Sequence, residues 1–423
     1  MIKTVKPGEY IPTRTARQTA PAAVAAAVAE IIKNVTERGD AALRDYSEKF
    51  DGCVPAAFEL EKSALDGAMR DAGAEFIGVM ERAARNIEDF HRRQISEGFV
   101  IAPRNGVVIG QRVTPIDKVG VYVPGGTAAY PSTVLMNCIP AKLAGAGEII
   151  IATPPQRGGI SSGVLAAAKI AGADRVFAIG GAQAIAALAY GTETVPRVDK
   201  ITGPGNAYVA EAKRQVFGIV GIDMIAGPSD ILVIASDGAD PVLVAADMLS
   251  QCEHGGDSSA ILVTDSKALA RSVGEQIEAQ LASLPREQIA RAAVDNNSMI
   301  IIAASINNAF EIANEIAPEH LEIMLDDPFM YLSRVRNAGS VFLGKCAPEA
   351  LGDYYAGPNH TLPTSGTARF SSPLSVGDFV KKTSFTYYSE EALRGAGGDV
   401  VRFASKEGLE AHAISVQKRM DGK

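Results

Sequence analysis

The spacing of hydrophobic residues along the chain changes at three places. Residues 1–20 are polar and end in a Pro- and Ala-rich turn, which predicts an arm rather than a domain. From residue 21 to about residue 118, apolar residues recur at helical spacing, as in AEFIGVMERAARNIEDFHRRQ, and little of the segment resembles a strand. After residue 370 the pattern loosens, so residues 371–423 predict a helical tail that docks on its own chain or on a partner subunit.

The middle of the chain alternates short apolar runs, which end at Gly or Pro, with Ala-rich helical segments. Strand, crossover helix and strand in this order predict a parallel sheet with helices on both faces. Residues 119–229 predict one such domain, with the runs VGVYVPGG, EIIIATPP, RVFAIGG, DKITGPG and DMIAGPS. Residues 230–370 predict another, with DILVIAS, SAILVTDS, SMIIIAAS, HLEIML and GSVFLG. We expect the helices of residues 21–118 to complete this other domain.

The fold class predicted from these patterns is α/β. It contains two incomplete Rossmann-like parallel-sheet domains, a helical N-terminal region and an extended helical C-terminal tail. A chain of 423 residues is too long for one compact core, which agrees with this division.

Composition narrows the class of protein. The net charge of −8 and the pI of about 5.4 give no basic surface for nucleic acid or an anionic membrane. No apolar run approaches the roughly 18 residues of a membrane span, and the N-terminus lacks the apolar core of a secretory signal. The four cysteines show no CxxC spacing, which is typical of a reducing compartment. We therefore expect a soluble, cytoplasmic protein.

Glycine-rich turns follow several of the predicted strands. GGAQAIAAL and GPGNAYV lead into helices, which suits the approach of a phosphate to helix N–H groups. Neither is a GxGxxG fingerprint, and tight strand-to-helix turns need glycine for structural reasons too. Both interpretations, a nucleotide site and a structural turn, remain open on these residues.

Candidate metal ligands are concentrated in the second half of the chain, where four of the five histidines lie after residue 250. Gln251 and His254 are three residues apart near a helix end and share one face. The loop GDYYAGPNHTLP contains Asp353, which with His412 would complete a set of donors for Zn²⁺ or another divalent transition metal. Gln251 and His254 could instead only cap the helix.

Glu319 and His320 form an adjacent acid–base pair just before a predicted strand. Side chains that are neighbours in a regular strand point to opposite faces, so the pair converges only at an irregular strand entrance, which Pro318 allows. The alternative is a turn-capping glutamate beside a core histidine. Cys252 is rejected as a nucleophile or thiolate ligand, because helical geometry turns it about 100° from Gln251.

The longest of these motifs resemble one known family. SQCEHGGD, APEHLEI, GDYYAGPNHTLPTSGTARF and GLEAH, with VGVYVPGG, AGPSD and GGAQAIAALAYGTETVPRVDKITGPGNAYVAEAKRQV upstream, are similar to histidinol dehydrogenase. The resemblance runs in order from about residue 20 to residue 415. It implies a cytoplasmic zinc enzyme of histidine biosynthesis that oxidises L-histidinol to L-histidine in two NAD⁺-dependent steps.

The resemblance also implies roles for particular residues. Glu319 and His320 would be the acid–base pair. The zinc ligands would be Gln251, His254, Asp353 and His412. The substrate would contact Ser229, His360, Glu407, His320 and those four ligands. NAD⁺ would contact Tyr122, Gln183 and Asn206. Family members are homodimers in which the tail crosses over, so Glu407 and His412 would come from the partner subunit.

Two departures from the family pattern stand out. Asp230 occupies a position where the family usually has Glu, and Cys252 one where a small residue is common. We expect neither to touch a functional residue. Three alternatives also follow from the sequence: a related dehydrogenase of another small alcohol such as a sulfonated diol, a metal-dependent hydrolase, and a non-catalytic nucleotide or metal sensor.

Overall fold

The computed structural model describes residues 2–9, 21–125 and 129–421. It contains two compact units, of which the larger comprises Met1–Gln94 and Ile116–Phe379 and the smaller comprises Ile95–Pro115 and Val380–Lys423. Residues 10–20, most of the predicted arm, lie outside the described residues. Among the helices that are described, none has the length and apolar character needed to cross a membrane.

The strands, in chain order, are β1 (Lys3–Val5), β2 (Phe99–Arg104), β3 (Val107–Pro115), β4 (Lys118–Tyr122), β5 (Glu148–Thr153), β6 (Arg175–Ala178), β7 (Lys200–Thr202), β8 (Gly221–Ile222), β9 (Asp230–Ala235), β10 (Ser259–Thr264), β11 (Met299–Ile302), β12 (His320–Met324), β13 (Ser340–Leu343) and β14 (Val380–Tyr388).

The α-helices are α1 (Ala22–Arg38), α2 (Asp40–Tyr46), α3 (Lys62–Asp71), α4 (Ala74–Arg92), α5 (Pro131–Ala144), α6 (Ser162–Ala171), α7 (Gly181–Tyr190), α8 (Ala207–Val216), α9 (Pro241–Cys252), α10 (Lys267–Leu281), α11 (Glu287–Asn297), α12 (Ile306–Ile316), α13 (Glu349–Tyr354), α14 (Glu390–Lys406) and α15 (Glu410–Met420). A π-helical turn, Ser47–Asp51, follows α2.

One sheet of the larger unit is parallel and five-stranded, with the order β6-β5-β4-β7-β8. Its strands are apolar on both faces because helices cover both sides. The chain moves from β4 outward to β6 and then returns through α7 to β7 on the other side of β4. Such a reversal leaves a crevice at the carboxyl ends of the strands, where open α/β sheets bind ligands.

The other sheet of the larger unit is parallel and six-stranded, with the order β1-β11-β10-β9-β12-β13. Helices α9, α10 and α11 cover one face and α12 packs on the other. Here the reversal occurs at β9, which pairs with β10 on one side and β12 on the other. The parallel sheets, the N-terminal helices and the helical tail confirm the predicted α/β class.

The N-terminal helices pack differently from the expectation. The buried residues of α1, Val28, Ile31 and Val35, belong to the core on one face of the five-stranded sheet. Those of α4, including Met80 and Ile87, lie in the core on its other face. An apolar helical stripe does not encode which of two sheets it will cover, and the faces of the six-stranded sheet are occupied by helices of its own segment.

Both ends of the chain also depart from the expected divisions. The N-terminal arm contributes β1 to the edge of the six-stranded sheet, where Lys3 is paired with Met299. The segment from residue 371 to 379 stays with the larger unit. Only from Val380 onward does the chain join β2 and β3, in an antiparallel sheet of order β14-β3-β2 with α14 and α15.

Candidate active site

The acid–base pair lies at an irregular strand entrance. Helix α12 ends at Ala317, a residue with φ of 54°, and Pro318 then keeps the chain extended up to β12. The Glu319 N–H donates to Asp230 Oδ1 at 2.8 Å, and the Asp230 N–H donates to Glu319 Oε2 at 3.0 Å. This reciprocal pair of bonds fixes the Glu319 carboxylate beside the start of β9. Glu319 and His320 are only 5% and 3% exposed.

The hydrogen bonds of His320 define which ring nitrogen carries the proton. Its Nδ1 lies 3.1 Å from the carbonyl oxygen of Asp230, and a carbonyl can only accept, so Nδ1 is the donor. Nε2 is buried and makes no hydrogen bond within the described part of the chain. It lies 3.6 Å from Asp353 Oδ1 and 3.9 Å from Glu349 Oε1. Nε2 is therefore the atom free to accept a proton.

The surroundings shift the pKa values of both residues upward. Burial raises the pKa of Glu319 to about 8, although the nearby His320 opposes the rise. For His320, burial alone would lower the pKa, but the charges of Glu349, Glu319 and Asp353 outweigh it and hold the pKa well above its ordinary value. A buried carboxyl that binds its proton near neutrality is suited to proton transfer.

A candidate metal centre lies next to the pair. Donor atoms of His254, Glu349 and Asp353 lie within 4.8 Å of one another. One nitrogen and two carboxylate oxygens are ligands that a divalent transition metal accepts. Glu349 is not among the residues that the sequence predicts as ligands. Its position one helical turn before Asp353 on α13, where residues i and i+4 share a face, was the available signal.

The predicted ligand Gln251 lies against the same cluster. It occupies the last turn of α9, which begins at the N-cap Asp240 and Pro241, and its side chain is 1% exposed. With its amide nitrogen toward Glu349, it donates to the two carboxylate oxygens at 2.6 and 3.2 Å. With its amide oxygen toward Glu349 instead, that oxygen and the Glu349 carboxylate are two acceptors in contact, and a cation between them would relieve the repulsion. The residues present thus fit a metal ion.

A cavity of 930 Å³ connects these groups with the glycine loops. Ser229 and His360 line it, and His360 Nδ1 donates to the Asp353 carbonyl at 2.9 Å, so in the neutral ring its Nε2 is the acceptor. Gly203, Pro204, Gly205 and Asn206, at the carboxyl end of β7, form another wall. The cavity therefore lies between the carboxyl edge of the five-stranded sheet and the amino edge of the six-stranded sheet, where β9, β10 and β12 begin.

The three predicted cofactor residues lie at the carboxyl edge of the five-stranded sheet. Tyr122 ends β4, and its hydroxyl accepts from the Gly181 N–H at 3.0 Å, at the start of α7. Gln183 lies in the first turn of that helix, buried, and neither amide atom is bonded to a described residue. Asn206 caps α8, where its Oδ1 accepts from the N–H groups of Tyr208 and Val209. The unpaired Gln183 amide fits a polar ligand such as a dinucleotide.

A buried ion pair fixes the glycine turn after β7. Lys213, 2% exposed, contacts the Asp223 carboxylate and donates to the carbonyl of Gly203 at 2.9 Å. Asp223 accepts from the Gly203 N–H at 2.8 Å and from the Met224 N–H at 2.6 Å. Gly203 has φ of 108°, and a Cβ there would lie 2.1 Å from the Tyr122 carbonyl oxygen. Only glycine fits this turn.

The remaining two predicted residues, Glu407 and His412, belong to the smaller unit. Glu407 caps the C-terminal end of α14, and His412 lies in the first turn of α15. Both are exposed there.

The two departures from the family pattern turn out differently. Asp230, which we expected to touch no functional residue, holds Glu319 through its side chain and His320 through its carbonyl. The sequence could not show this, since the two segments are 89 residues apart and meet only through β9–β12 pairing. Cys252 is fully buried, and its Sγ faces Ser298 Oγ at 3.7 Å rather than the cavity.

Comparison with known proteins gives concordant matches. A family model described as histidinol dehydrogenase matches residues 14–420. Histidinol dehydrogenase of Lactiplantibacillus plantarum is 53% identical over 398 residues, which cover 94% of this chain and 93% of that protein. The corresponding protein of Streptococcus mutans is 54% identical over 398 residues, with the same coverage.

A solved structure agrees as well. The crystal structure of histidinol dehydrogenase from Elizabethkingia anophelis superposes with a TM-score of 0.92 and 37% sequence identity. The superposition covers 100% of this chain and 98% of that one.

Proposed function

The chain belongs to the histidinol dehydrogenase family, as its motifs predicted, and from this premise we propose how its own residues bind and oxidise the substrate. Family membership makes it an NAD- and metal-dependent dehydrogenase that converts L-histidinol to L-histidine. The alternatives of another small alcohol, a hydrolase or a sensor find no support among its relatives. The metal identity, the role of each residue and the oligomeric state belong to the proposal.

The proposed metal is Zn²⁺, held by His254, Asp353 and Gln251, with His412 supplied by the partner subunit of a homodimer. The cluster of donors within 4.8 Å supports the first two. Gln251 is supported by its place, since it is 1% exposed at the end of α9 and its amide lies against the Glu349 carboxylate. Bound zinc would supply charge that holds the imidazole and amine nitrogens of histidinol. Ser229, His360 and Glu407 would complete the substrate contacts.

His320 is the proposed base for the alcohol. Its Nδ1–H is fixed by the Asp230 carbonyl, which leaves Nε2 to take the hydroxyl proton of the substrate. The carboxylates of Glu349 and Asp353, 3.9 and 3.6 Å from Nε2, stabilise the imidazolium that results. Bound NAD⁺, beside Tyr122, Gln183 and Asn206, would accept hydride in each of two steps. The single observation that carries this role is that Nε2, unlike Nδ1, makes no hydrogen bond within the described part of the chain.

Glu319 is the proposed base for water in the second step. Oxidation of an aldehyde to an acid needs a water added to the carbonyl carbon, and a fixed carboxylate can remove its proton. The Asp230 N–H holds one oxygen of Glu319 and leaves the other for the water. The two residues thus divide the proton transfers, with His320 serving the alcohol and Glu319 the hydrate.

The test is the replacement of Glu319 by Gln, with separate rates for histidinol and histidinal. We expect aldehyde oxidation to fall by about 10²–10⁴-fold, the usual contribution of a general base, and alcohol oxidation to fall much less. The parent should yield two NADH per histidinol, and the variant should approach one. Glu287→Gln, the same change on an exposed helix, is the control. Equal losses in both steps would contradict the divided roles.

Zinc dependence is tested by removal. Dialysis against a chelator should abolish turnover, and added Zn²⁺ should restore it. His254→Ala and Asp353→Ala should each weaken zinc binding by more than about 100-fold in a competition with a chromogenic chelator, because loss of a ligand exceeds loss of an outer-shell partner. Unchanged zinc affinity in both variants would place the metal elsewhere.

A further inference from the structure

Buried polar atoms surround the proposed cofactor contacts Tyr122 and Gln183, and one of them, on Asp51, has no role in the site described above. The Gln183 side chain is 1% exposed, and both of its amide atoms are without hydrogen bonds to any described residue. Asp51 Oδ2 is also enclosed, and it too has no hydrogen-bond partner in the part of the chain that the structure describes. A carboxylate acceptor and an amide with both donor and acceptor are thus each left without a hydrogen bond to a described residue.

The local backbone directs these groups to the carboxyl edge of the five-stranded sheet. Asp51 ends the π-helical turn, and Gly52 follows at φ of 65°, a conformation that favours glycine. The Gln183 amide folds back over Gly181, where its Oε1 would lie 2.7 Å from an added Cβ. Arg157, which follows β5, has its Nη2 3.6 Å from the position of a Cβ at Gly52, so the Asp51 turn lies near the same edge. Burial raises the pKa of Tyr122 to about 12, and the charge of Asp51 adds to that rise.

The chemistry of the three groups indicates the kind of ligand. Vicinal hydroxyl groups both donate and accept, so a ribose can donate to Asp51 and exchange a bond with the Gln183 amide. In dinucleotide-binding sheets an acidic residue near the carboxyl edge commonly binds the ribose 2′-hydroxyl. The reversal of strand order between β4 and β7 gives this sheet the matching crevice.

We propose that Asp51 accepts a hydrogen bond from the 2′-hydroxyl of the adenosine ribose and so selects NAD⁺ over its 2′-phosphorylated form. The inference rests on the proposed cofactor site and adds a residue to it. A 2′-phosphate would bring negative charge against the carboxylate. The guanidinium of Arg157 is close to this turn, because its Nη2 lies 3.6 Å from the position of a Cβ at Gly52. Without the Asp51 charge, the 2′-phosphate of the phosphorylated cofactor would therefore meet a cation rather than a carboxylate.

The experiment compares cofactor binding by the full-length parent, Asp51→Asn and Glu48→Gln. Dissociation constants for NADH and NADPH are measured by nucleotide fluorescence, without substrate. We expect Asp51→Asn to bind NADH about 10-fold more weakly than the parent and to bind NADPH at least as well as the parent. The preference for NADH should then shrink by 10-fold or more. Glu48, exposed on the same turn, provides the matched loss of one charge and should change neither constant.

A measurement on the parent alone makes the test independent of the variant's folding. The parent should bind 2′-deoxy-NADH about 10-fold more weakly than NADH, whereas Asp51→Asn should bind the two equally. Equal binding of NADH and 2′-deoxy-NADH by the parent would overturn the role of Asp51. An unchanged preference in a folded Asp51→Asn variant would do the same. A parent that binds neither nucleotide would instead refute the proposed cofactor site.

Discussion

At the scale of single residues, Asp230 organises the acid–base pair although it belongs to no catalytic motif. Its carboxylate accepts from the Glu319 N–H, its own N–H donates to the Glu319 carboxylate, and its carbonyl fixes the His320 tautomer. The last two contacts come from the main chain, so any residue except proline at position 230 can make them. Only the first depends on the side chain, which sets the alignment of the peptide before His320.

Replacement of Asp230 by Ala should therefore misalign the pair without removing a reacting group. We expect turnover of both histidinol and histidinal to fall by about 10²-fold, the cost of a displacement of about 1 Å, with little change in zinc content. Steady-state kinetics and metal analysis measure this. Asp230→Asn keeps an acceptor for the Glu319 N–H, so its turnover should fall much less than that of the Ala variant. Parent-like turnover by the Ala variant would show that the main-chain contacts suffice.

Glu322 is a second residue whose environment the sequence did not reveal. It lies on β12 two residues after His320, is 1% exposed, and accepts from the Glu349 N–H at 2.7 Å. Burial, and then the charge of the neighbouring Asp247, raises the pKa of Glu322 to about 9. Because folding raises this pKa from its ordinary 4.5, the stability that Glu322 contributes is complete below pH 4.5 and is lost as the pH rises toward 9.

Glu322→Gln should remove this dependence on pH. The amide keeps an acceptor for the Glu349 N–H and never ionises, so the variant should match the parent near pH 4.5. At pH 8.5 it should be more stable by about 1–3 kcal/mol, the cost of an unsatisfied buried polar group. Urea unfolding at the two pH values measures the difference. If the difference in free energy of unfolding between variant and parent stayed constant or decreased as the pH rose, the raised pKa would be contradicted.

At the scale of elements, the buried pair of Lys213 and Asp223 connects helix α8 to two loops. Lys213 reaches from α8 to the Gly203 carbonyl, and Asp223 binds the N–H groups of Gly203 and Met224. These loops precede Asn206 and Ser229, the proposed cofactor and substrate contacts. The pair therefore stabilises the fold and shapes the wall of the cavity at once.

Lys213→Met should destabilise the protein and weaken cofactor binding together. Removal of one member of a buried ion pair leaves an unpaired charge and costs about 3–5 kcal/mol. The KM for NAD⁺ should rise, since the Gly203 turn loses its anchor. Denaturant unfolding and steady-state kinetics test both effects. Arg92→Met breaks an exposed pair with Glu88 and should cost no more than about 1 kcal/mol. If Lys213→Met and Arg92→Met lost similar stability and changed the KM for NAD⁺ equally, Lys213 would not anchor the Gly203 turn.

At the scale of the whole molecule, the smaller unit carries an unusual share of exposed apolar residues. Strand β2 exposes Phe99, Val100 and Ile101, and α14 exposes Phe403 at 70%. Large exposed apolar surfaces commonly mark contacts with another protein. This supports the proposal that the unit packs on a second copy of the chain and delivers His412 and Glu407 to its site.

Mixed dimers test that proposal. His412→Ala and His320→Ala should each be inactive alone, but a mixture with exchanged subunits should recover up to about one quarter of the activity of the same amount of parent. The reason is that random pairing makes about half of the dimers mixed, and one of the two sites in a mixed dimer combines intact His320 and intact His412. Activity is measured after joint unfolding and refolding, with each variant refolded alone as the control. No recovery in a mixture that forms dimers would assign His412 to its own subunit's site.

The sequence by itself determined the class of fold, the family and most candidate residues. Fully apolar strand runs can only be buried between helices, and motifs such as SQCEHGGD and APEHLEI are long enough to be specific. These properties are local, because each depends on residues that are close together in the chain.

Only the tertiary structure decided which distant segments meet. It brings Asp230 to Glu319 across 89 residues of chain and places Glu349 beside His254 and Asp353. It also packs α1 and α4 on the five-stranded sheet rather than on the six-stranded one. The physical reason is that an apolar stripe or a lone carboxylate has no intrinsic partner. Strand order and the faces that remain uncovered select the partner, and both are properties of the complete fold.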